Sequence, residues 1–509
     1  MEVNIGYLLE RTATKFPDKP AIIFEDKRIP YKILNQRAYQ LAHALIAIGV
    51  KKGDKVAILL ENSPESLECI FGIARAGAVC VMLNNRFRSA ELTYILNHSD
   101  SKLLIYGIQF LGEVNKLRNH TKIQKYICLN FADNVDVGSD WNYEQFLSQY
   151  PLPYKTVQVS EDDAASIMYT SGVTGKPKGV VQAHRYWIWY ALSFIMGYKT
   201  ELTDKVLTST PVFHVAAFAR CISAVYLGIS NVLMRRFETQ KFLELIEKEK
   251  ITLTMLAPTM FAMVKKLSNH QKYDLTSLKL FVSGTAAASV EMLNQVKGVF
   301  PNAKIMNAYG STETGVVTML ESNDFVRKID TVGKPLLNSE CCLMDEEGNK
   351  VNTGDIGEIC ARGPQNLKEY YKDPEATKQV FVRDWVRTGD LGKFDEEGFL
   401  HIVDRLKDMI ISGGENIYSM EIENVLFTHE KILEAAVIGV PDKLWGETVR
   451  AIVVLKEGEA LTEKDVIDFC AENLAGYKKP KSVIFIDSLP KTDNNKILKR
   501  MLREQYGKP

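Results

Sequence analysis

Neither sign of charge is in excess: Lys and Arg together number 63, and so do Asp and Glu. A balanced chain offers no basic field to a polyanion, so no nucleic acid partner is expected. Cysteine is scarce. The eight present, at 69, 80, 128, 221, 341, 342, 360 and 470, include no Cys-x-x-Cys pair and make no disulfide framework in a chain this long. Most lie in apolar runs and read as reduced core residues, which suits the cytoplasm. Long hydrophobic runs are missing as well. The most apolar stretch, residues 186–198, is well short of the ~20 residues that span a bilayer and reads as a buried helix. The first residues, Met1-Glu2-Val3-Asn4-Ile5-Gly6, carry neither the basic nor the apolar segment of a signal peptide. No Cys/His cluster has metal-ligand spacing, no Gly-x-Ser-x-Gly elbow appears, and no repeat or low-complexity tract is visible.

What is present is an average globular composition, 46% apolar and 25% charged, in 509 residues. That length suits a large body plus a smaller module. Leu34, Ala38, Leu41, Ala42 and Leu45 share one helical face, and Gly49 stops that helix. Residues 55–60 read as a strand. Pro64 opens a second helix with Leu67, Ile70, Phe71 and Ala74 on one face, and residues 79–83 form the next strand. Strands at 103–106, 165–169, 252–256 and 279–282 continue the alternation, which predicts α/β architecture with mainly parallel sheets. Ligands then belong at the carboxyl ends of strands. From about Val332 short strands with Gly-rich turns (341–344, 357–361, 398–403) suggest a β subdomain. Beyond Asp404-Arg405-Leu406-Lys407 a helix (419–428), strands (433–440, 449–455), a helix (462–474) and a strand (482–486) suggest a small α+β module.

The most informative stretch is Tyr169-Thr170-Ser171-Gly172-Val173-Thr174-Gly175-Lys176-Pro177-Lys178-Gly179, between a predicted strand and the long apolar helix. Its glycines let backbone N–H groups turn toward an anion. Thr170, Ser171 and Thr174 add hydroxyl donors, and Lys176 and Lys178 add charge, which suits a triphosphate. It is not a Walker A loop: Gly172 and Gly175 are too close together, and Pro177 follows Lys176. The run closely resembles the signature of the adenylate-forming superfamily, which comprises acyl- and aryl-CoA ligases, peptide-synthetase adenylation domains and beetle luciferases. Val173 stands where that signature usually has Thr or Ser.

The resemblance extends from about Leu9 to Arg500. It implies a large AMP-binding N-terminal domain over 1–404, with the acyl and nucleotide sites, and a small mobile C-terminal domain over 405–509. Asn307-Ala308-Tyr309-Gly310-Ser311-Thr312-Glu313-Thr314 resembles the second core motif. It implies Tyr309 stacked on adenine, Thr312 on the α-phosphate, and Glu313, with Thr174, on Mg2+. Gly284, Thr285 and Ala286 match the strand end bordering adenine, although Gly and Pro are usual at 285 and 287. Asp390 matches the aspartate on the ribose hydroxyls, and a carboxylate suits a cis-diol. Arg405 is the matching ribose-side arginine. Pro211-Val212-Phe213-His214 resembles the element that lines the acyl pocket, with His214 as its gate. Val215, Ala216, Ala217, Phe218, Val316 and Val317 complete a mostly small and apolar pocket. His184 is read as structural. Lys496 matches the catalytic lysine, preceded by Asn495 where Gly is usual. Lys407 takes the hinge position. Ser412, Gly413 and Gly414 border the path of the pantetheine arm, or form a plain glycine turn between two strands.

The chemistry follows from charge. A carboxylate attacking ATP is repelled, and the transition state gathers negative charge on the α-phosphoryl oxygens, so preorganised cations and donors are the main need. The resemblance therefore implies an acid–thiol ligase that uses ATP, Mg2+ and coenzyme A to activate a small-molecule acid, most simply a medium- or long-chain fatty acid. The runs around 410–416 and 495–496 also resemble o-succinylbenzoate–CoA ligases, which keeps aryl acids open. Loading of a carrier protein is a further alternative, as is a nucleotide-binding protein without activity. His214 stands where amino-acid-activating members usually have aspartate, which argues against an amino acid substrate. Family members differ in oligomeric state, so a homodimer stays open.

Overall fold

The computed structural model describes residues 4–129, 135, 137–150, 157–170, 176–267, 270–284, 290–491 and 497–508. The chain forms two compact units, one of residues 1–341 with 361–386, the other of residues 342–360 with 387–509.

The first unit holds two large mixed sheets. In one, Lys304–Ser311, Leu280–Ser283, Leu253–Leu256, Lys205–Thr208, Ser230–Leu233 and Pro20–Phe24 lie side by side, every neighbour parallel. Gly315–Leu320 and Lys27–Pro30 add antiparallel partners on either side. In the other, Ala164–Thr170, Val79–Met82, Lys55–Leu59, Ser101–Gly107, Lys125–Leu129 and Trp141–Asn142 run parallel in that order. The α/β class expected from strand–helix alternation is what the chain adopts. Its buried strands, such as Val79–Met82 and Leu253–Leu256, are apolar on both faces, as central parallel strands are.

The local signals explain the elements. Ser63 caps the Pro64–Arg75 helix in a reciprocal box with Ser66, and Pro64 sits in the first turn, where its missing N–H costs nothing. The predicted face of Tyr31–Ala47 is buried throughout: Leu34, Ala38, Leu41, Ala42 and Leu45. The Pro64–Arg75 helix differs from expectation. All of it except Glu65 is buried, Glu68 and Arg75 included, because it packs between layers rather than on a surface. A second difference matters more for function. Lys178–Ala183 is a strand, antiparallel to Ala164–Thr170, so the phosphate-type loop closes a hairpin before the His184–Gly197 helix begins. The run Gly179-Val180-Val181-Gln182-Ala183 carries two β-branched residues and is buried along its length, which favours a strand there.

The expected β subdomain is a five-stranded sheet of Glu340–Met344, Gly357–Arg362, Trp385–Phe394, Phe381–Val382 and Leu400–Arg405. In the second unit, Ile432–Asp442 and Gly446–Leu455 pair antiparallel along most of their length. Ser482–Phe485 runs parallel to the latter, and Ser419–Phe427 and Glu463–Asn473 are helical. Asp404, which opens the run before the predicted α+β module, is buried. It accepts hydrogen bonds from the Ser419 backbone N–H and hydroxyl at the start of the Ser419–Phe427 helix. Among the described residues no helix is long and apolar enough to cross a membrane.

Candidate active site

Thr170 and Lys178 face each other at the open end of the loop's hairpin. Ser171, Gly172, Val173, Thr174 and Gly175 lie outside the described residues. The Lys176 ammonium sits 5.9 Å from the Tyr94 ring centroid, and that of Lys178 sits 5.1 Å from the Tyr370 ring. Neither ammonium has a carboxylate partner among the described residues. The rings orient both charges without neutralising them.

The second motif is a strand, Lys304–Ser311, a turn, and an antiparallel return, Gly315–Leu320. A side chain at Gly310 is impossible, because its Cβ would lie 1.9 Å from the Gly315 carbonyl oxygen. Ser311 and Thr314 spend their hydroxyls on the turn itself. Ser311 Oγ accepts from the N–H groups of Glu313 (3.1 Å) and Thr314 (3.3 Å), and Thr314 Oγ1 accepts from the Ser311 N–H (3.2 Å). The backbone of Thr312 and Glu313 is fixed from outside. Tyr186 Oη donates to the Thr312 carbonyl at 3.0 Å, and the Leu367 N–H donates to that of Glu313 at 2.6 Å. A buried chain of donors supports the same carbonyl: Trp187 Nε1 to Ser166 Oγ (2.8 Å), Ser166 to Gln182 Oε1 (2.8 Å), Gln182 Nε2 to Thr312 O (3.5 Å). The Glu313 carboxylate accepts from Tyr370 Oη at 3.0 Å. Burial and this carboxylate push the Tyr370 phenol well above its ordinary range, so it stays a donor.

Two segments expected to border adenine are neighbours. Ser283 pairs with Asn307 on adjacent parallel strands, which sets Gly284 beside Ala308. Asn307 Nδ2 reaches the Thr331 carbonyl at 3.5 Å, and Tyr309 pairs with Thr318 across the hairpin. Thr285 and Ala286 lie outside the described residues.

The acyl-pocket element precedes the Val215–Leu227 helix, with His214 as its cap residue and the His214 ring 4.3 Å from that of Phe213. Buried Asn62 clamps this element: its Oδ1 accepts from the Val212 N–H at 2.8 Å, and its Nδ2 donates to the carbonyls of Thr210 and Met234, each at 3.0 Å. Val212, Phe213, Ala216 and Val316 share one hydrophobic core cluster, with Val215 packed against it, and Ala217 is fully buried. The surroundings are less apolar than the sequence suggests. The hydroxyls of Ser209, Thr210 and Ser283, at or just beyond strand ends, are buried with no partner among the described residues, as are all three guanidinium nitrogens of Arg220. His184 is fully buried, its Nδ1 accepts from the Ile5 N–H at 3.4 Å, and burial lowers its pKa to about 4, which makes it a neutral structural residue.

In the second unit Asp390 and Arg405 face each other on paired strands, with Arg405 Nε 3.3 Å from Asp390 Oδ1. Glu358 fixes the turn before Asp390, accepting from Arg387 Nη1 (2.8 Å) and the Gly389 N–H (3.1 Å). Lys407 lies in a 3-10 turn, Leu406–Asp408. Ser412 and Glu415 pair across a two-residue hairpin loop whose Gly413 and Gly414 both have positive φ, 61° and 86°. The Gly413 N–H donates to the Trp445 carbonyl at 2.8 Å, and a Cβ there would meet the Trp445 ring at 2.7 Å. These glycines thus form a turn between two strands. Lys496 lies outside the described residues.

A family model described as AMP-binding enzyme matches residues 9–371, and one described as AMP-binding enzyme C-terminal domain matches residues 421–496. The chain belongs to the AMP-binding enzyme family. It is an enzyme of the acid–thiol ligase class. It is 36% identical to the long-chain-fatty-acid–CoA ligase FadD13 of Mycobacterium tuberculosis, over 99% of each chain. It is 33% identical to a 2-succinylbenzoate–CoA ligase of Bacillus licheniformis, over 97% of this chain and 98% of that one. The solved o-succinylbenzoate CoA synthetase of Bacillus subtilis, in complex with its acyl-adenylate intermediate, superposes with a TM-score of 0.88 at 30% identity, over 99% of this chain and 98% of that one.

Tyr370, Gln182, Tyr186 and Asn62, whose side chains hold the two motifs by hydrogen bonds, were not singled out from sequence. Gln182 lies in the Lys178–Ala183 strand, which the sequence did not show. The others act across long separations that no local pattern reports.

Proposed function

We propose that the chain joins a carboxylic acid to ATP, releasing pyrophosphate, and transfers the acyl group from the acyl-adenylate to coenzyme A. The observation that carries this reading is the turn at Thr312 and Glu313. Its backbone is held by Gln182, Tyr186, Ser311 and the Leu367 N–H, while among the described residues the Glu313 carboxylate has only a phenol for a partner. Such a carboxylate fits magnesium, which takes one or two protein carboxylates together with phosphate oxygens. Glu313, with Thr174, would hold Mg2+, which supplies positive charge to the triphosphate when bound. Lys176, Lys178 and the hydroxyls of Thr170, Ser171 and Thr174 bind the phosphates. Thr312 donates to the α-phosphate, and Tyr309 stacks on adenine. Asp390 and Arg405 take the ribose, and Lys496 stabilises charge on the α-phosphoryl oxygens. The attacking acid is already ionised, so adenylation needs no general base. Division at 404/405 and rotation about Lys407 separate the two half-reactions, with Ser412, Gly413 and Gly414 beside the pantetheine arm.

The acid has a largely apolar body, most simply a medium- or long-chain fatty acid, which the FadD13 likeness and the Val215, Ala216, Ala217 and Val316 wall support. The succinylbenzoate-ligase relatives favour a second reading, an aryl acid. A cytoplasmic setting suits eight free cysteines, seven of them buried. The test is pyrophosphate release with ATP, magnesium and a panel of acids, with and without coenzyme A. AMP and acyl-CoA are expected from at least one acid, and no AMP from any acid sinks the reading. Lys496→Ala is expected to slow adenylation by about two to three powers of ten and to spare transfer from supplied acyl-AMP.

A further inference from the structure

Arg220 lies on the Val215–Leu227 helix and is 2% exposed. Its Nε, Nη1 and Nη2 are buried without a hydrogen-bond partner among the described residues. Arginine stays protonated in proteins and presents five N–H donors in a planar fork. A buried guanidinium in this condition lacks both a counter-charge and acceptors. Elsewhere in the same unit a buried charge is answered. Glu68, just as deeply buried, takes both Arg37 and Tyr143.

The surroundings of Arg220 point to the acyl pocket. Ala216 and Ala217 precede it by four and three residues, hence on the same helical face. His214 lies six residues back, about 9 Å along the helix axis. Tyr190 and Tyr198, from the facing helix and its end, lie close to the guanidinium as neutral phenols. The Tyr198 hydroxyl is itself buried without a partner among the described residues. Tyr190 reaches the other expected wall, since a Cβ at Gly315 would lie 3.4 Å from Tyr190 Cδ1, and Val316 follows. Arg220 and Tyr198 therefore form a set of donors unanswered among the described residues, with Arg220 on the helix whose first residues are expected to line the pocket.

We propose that Arg220 recognises a second carboxylate at the far end of the substrate, so that the acid this chain activates is a dicarboxylic acid. The inference rests on the ligase reading above and narrows its substrate. A carboxylate matches the guanidinium fork with two parallel hydrogen bonds and supplies the missing negative charge, and Tyr198 offers a third donor. Water would satisfy the donors but leave the charge unopposed. A simple fatty acid would set its methyl end against the cation. The near carboxylate is the one adenylated, while the far one remains ionised and unreacted.

The experiment uses the full chain with ATP, magnesium and coenzyme A. It compares α,ω-diacids with monoacids of equal carbon number and with the diacids' monomethyl esters. Wild-type enzyme is expected to prefer the diacid by about a hundredfold in kcat/KM, as for one buried charge pair, and the monomethyl ester is expected to behave as a monoacid. Arg220→Met is expected to lose that preference mainly through KM, while Arg220→Lys keeps part of it. Equal or better turnover of monoacids and esters by the wild type overturns the proposal without any variant. So does an unchanged diacid-to-monoacid ratio in a folded Arg220→Met. These outcomes leave the ligase reading standing, whereas AMP formation from no acid at all removes both.

Discussion

Two carboxylates of the first unit each accept a hydrogen bond from a tyrosine at 3.0 Å, Glu68 from Tyr143 and Glu313 from Tyr370. They part company in their charge. Glu68 is 1% exposed and is met by Arg37 Nε at 2.5 Å, with Glu144 on the far side of the same guanidinium. Glu313 is only half-buried, and no cation faces it among the described residues. A neutralised, enclosed carboxylate can only hold a scaffold together. One that is positioned but left charged is ready for a cation from solution. Arg220 is the same contrast with the sign reversed, and His184 shows a third course, in which burial removes the charge altogether.

The sharpest way to break the comparison is to strip the cation from Glu68. Arg37→Ala leaves a buried carboxylate unpaired, which is expected to cost about 3–5 kcal/mol of stability in urea unfolding. Burial already pushes the Glu68 carboxyl up to about 7, against the pull of Arg37 and Tyr143. A raised carboxyl pKa means that the folded state holds its proton longer than the unfolded chain. The loss is therefore expected to be smallest below about 7, where the folded carboxyl keeps its proton, and to grow as pH rises above it. Adding Glu68→Gln is expected to recover most of it. The matching change at the other carboxylate, Glu313→Gln, is expected to move stability by less than about 0.5 kcal/mol. It should cut acyl-adenylate formation by about two to three powers of ten, or roughly 3–4 kcal/mol. If Glu313→Gln unfolds the chain and spares turnover, the two carboxylates have the same role and the contrast is lost.

That contrast also marks what the amino-acid order reveals. The parallel sheets were legible because strands buried on both faces leave unbroken apolar runs, and Ser63-Pro64 announces its helix by the chemistry of the first turn. The order of motifs, from the lysine-bearing loop through Tyr309 and Glu313 to Asp390, was legible because each is a short local pattern. Partners were not. Tyr370 meets Glu313 across 57 residues, and Asn62 clamps Val212 across 150. No periodicity reports either. The strand at Lys178–Ala183 was hidden because its glycine and flanking lysines read as loop, while its pairing with Ala164–Thr170 is a tertiary fact. Arg220 looked like any arginine, since what distinguishes it is that no group among the described residues answers it in three dimensions.

His184 gives the comparison a pH axis. Its pKa falls from 6.5 to about 4 because burial disfavours the imidazolium. The unfolded chain therefore binds a proton that the folded chain refuses between those values. The stability this residue confers is complete above about 6.5 and is lost as pH falls through about 4, on the order of 3 kcal/mol for a shift of this size. His184→Gln is expected to flatten the dependence of the unfolding midpoint across that window. A variant with the same slope as the wild type would show that other groups set it.

The smallest effect is the most discriminating. Tyr370→Phe removes one hydroxyl from Glu313 but keeps the aromatic face under the Lys178 ammonium. Losing a hydrogen bond to a carboxylate is worth about 1.5–3 kcal/mol, or roughly a factor of ten to a hundred. If Tyr370 only orients a carboxylate meant for a cation, that factor should appear in KM for magnesium–ATP, while KM for the acid and the unfolding midpoint stay unchanged. Tyr143→Phe, the same deletion at Glu68, should do the reverse, lowering the midpoint and leaving every kinetic constant alone. A stability loss from Tyr370→Phe with unaltered nucleotide affinity would make Glu313 a second Glu68, a scaffold carboxylate that happens to lie in the right motif.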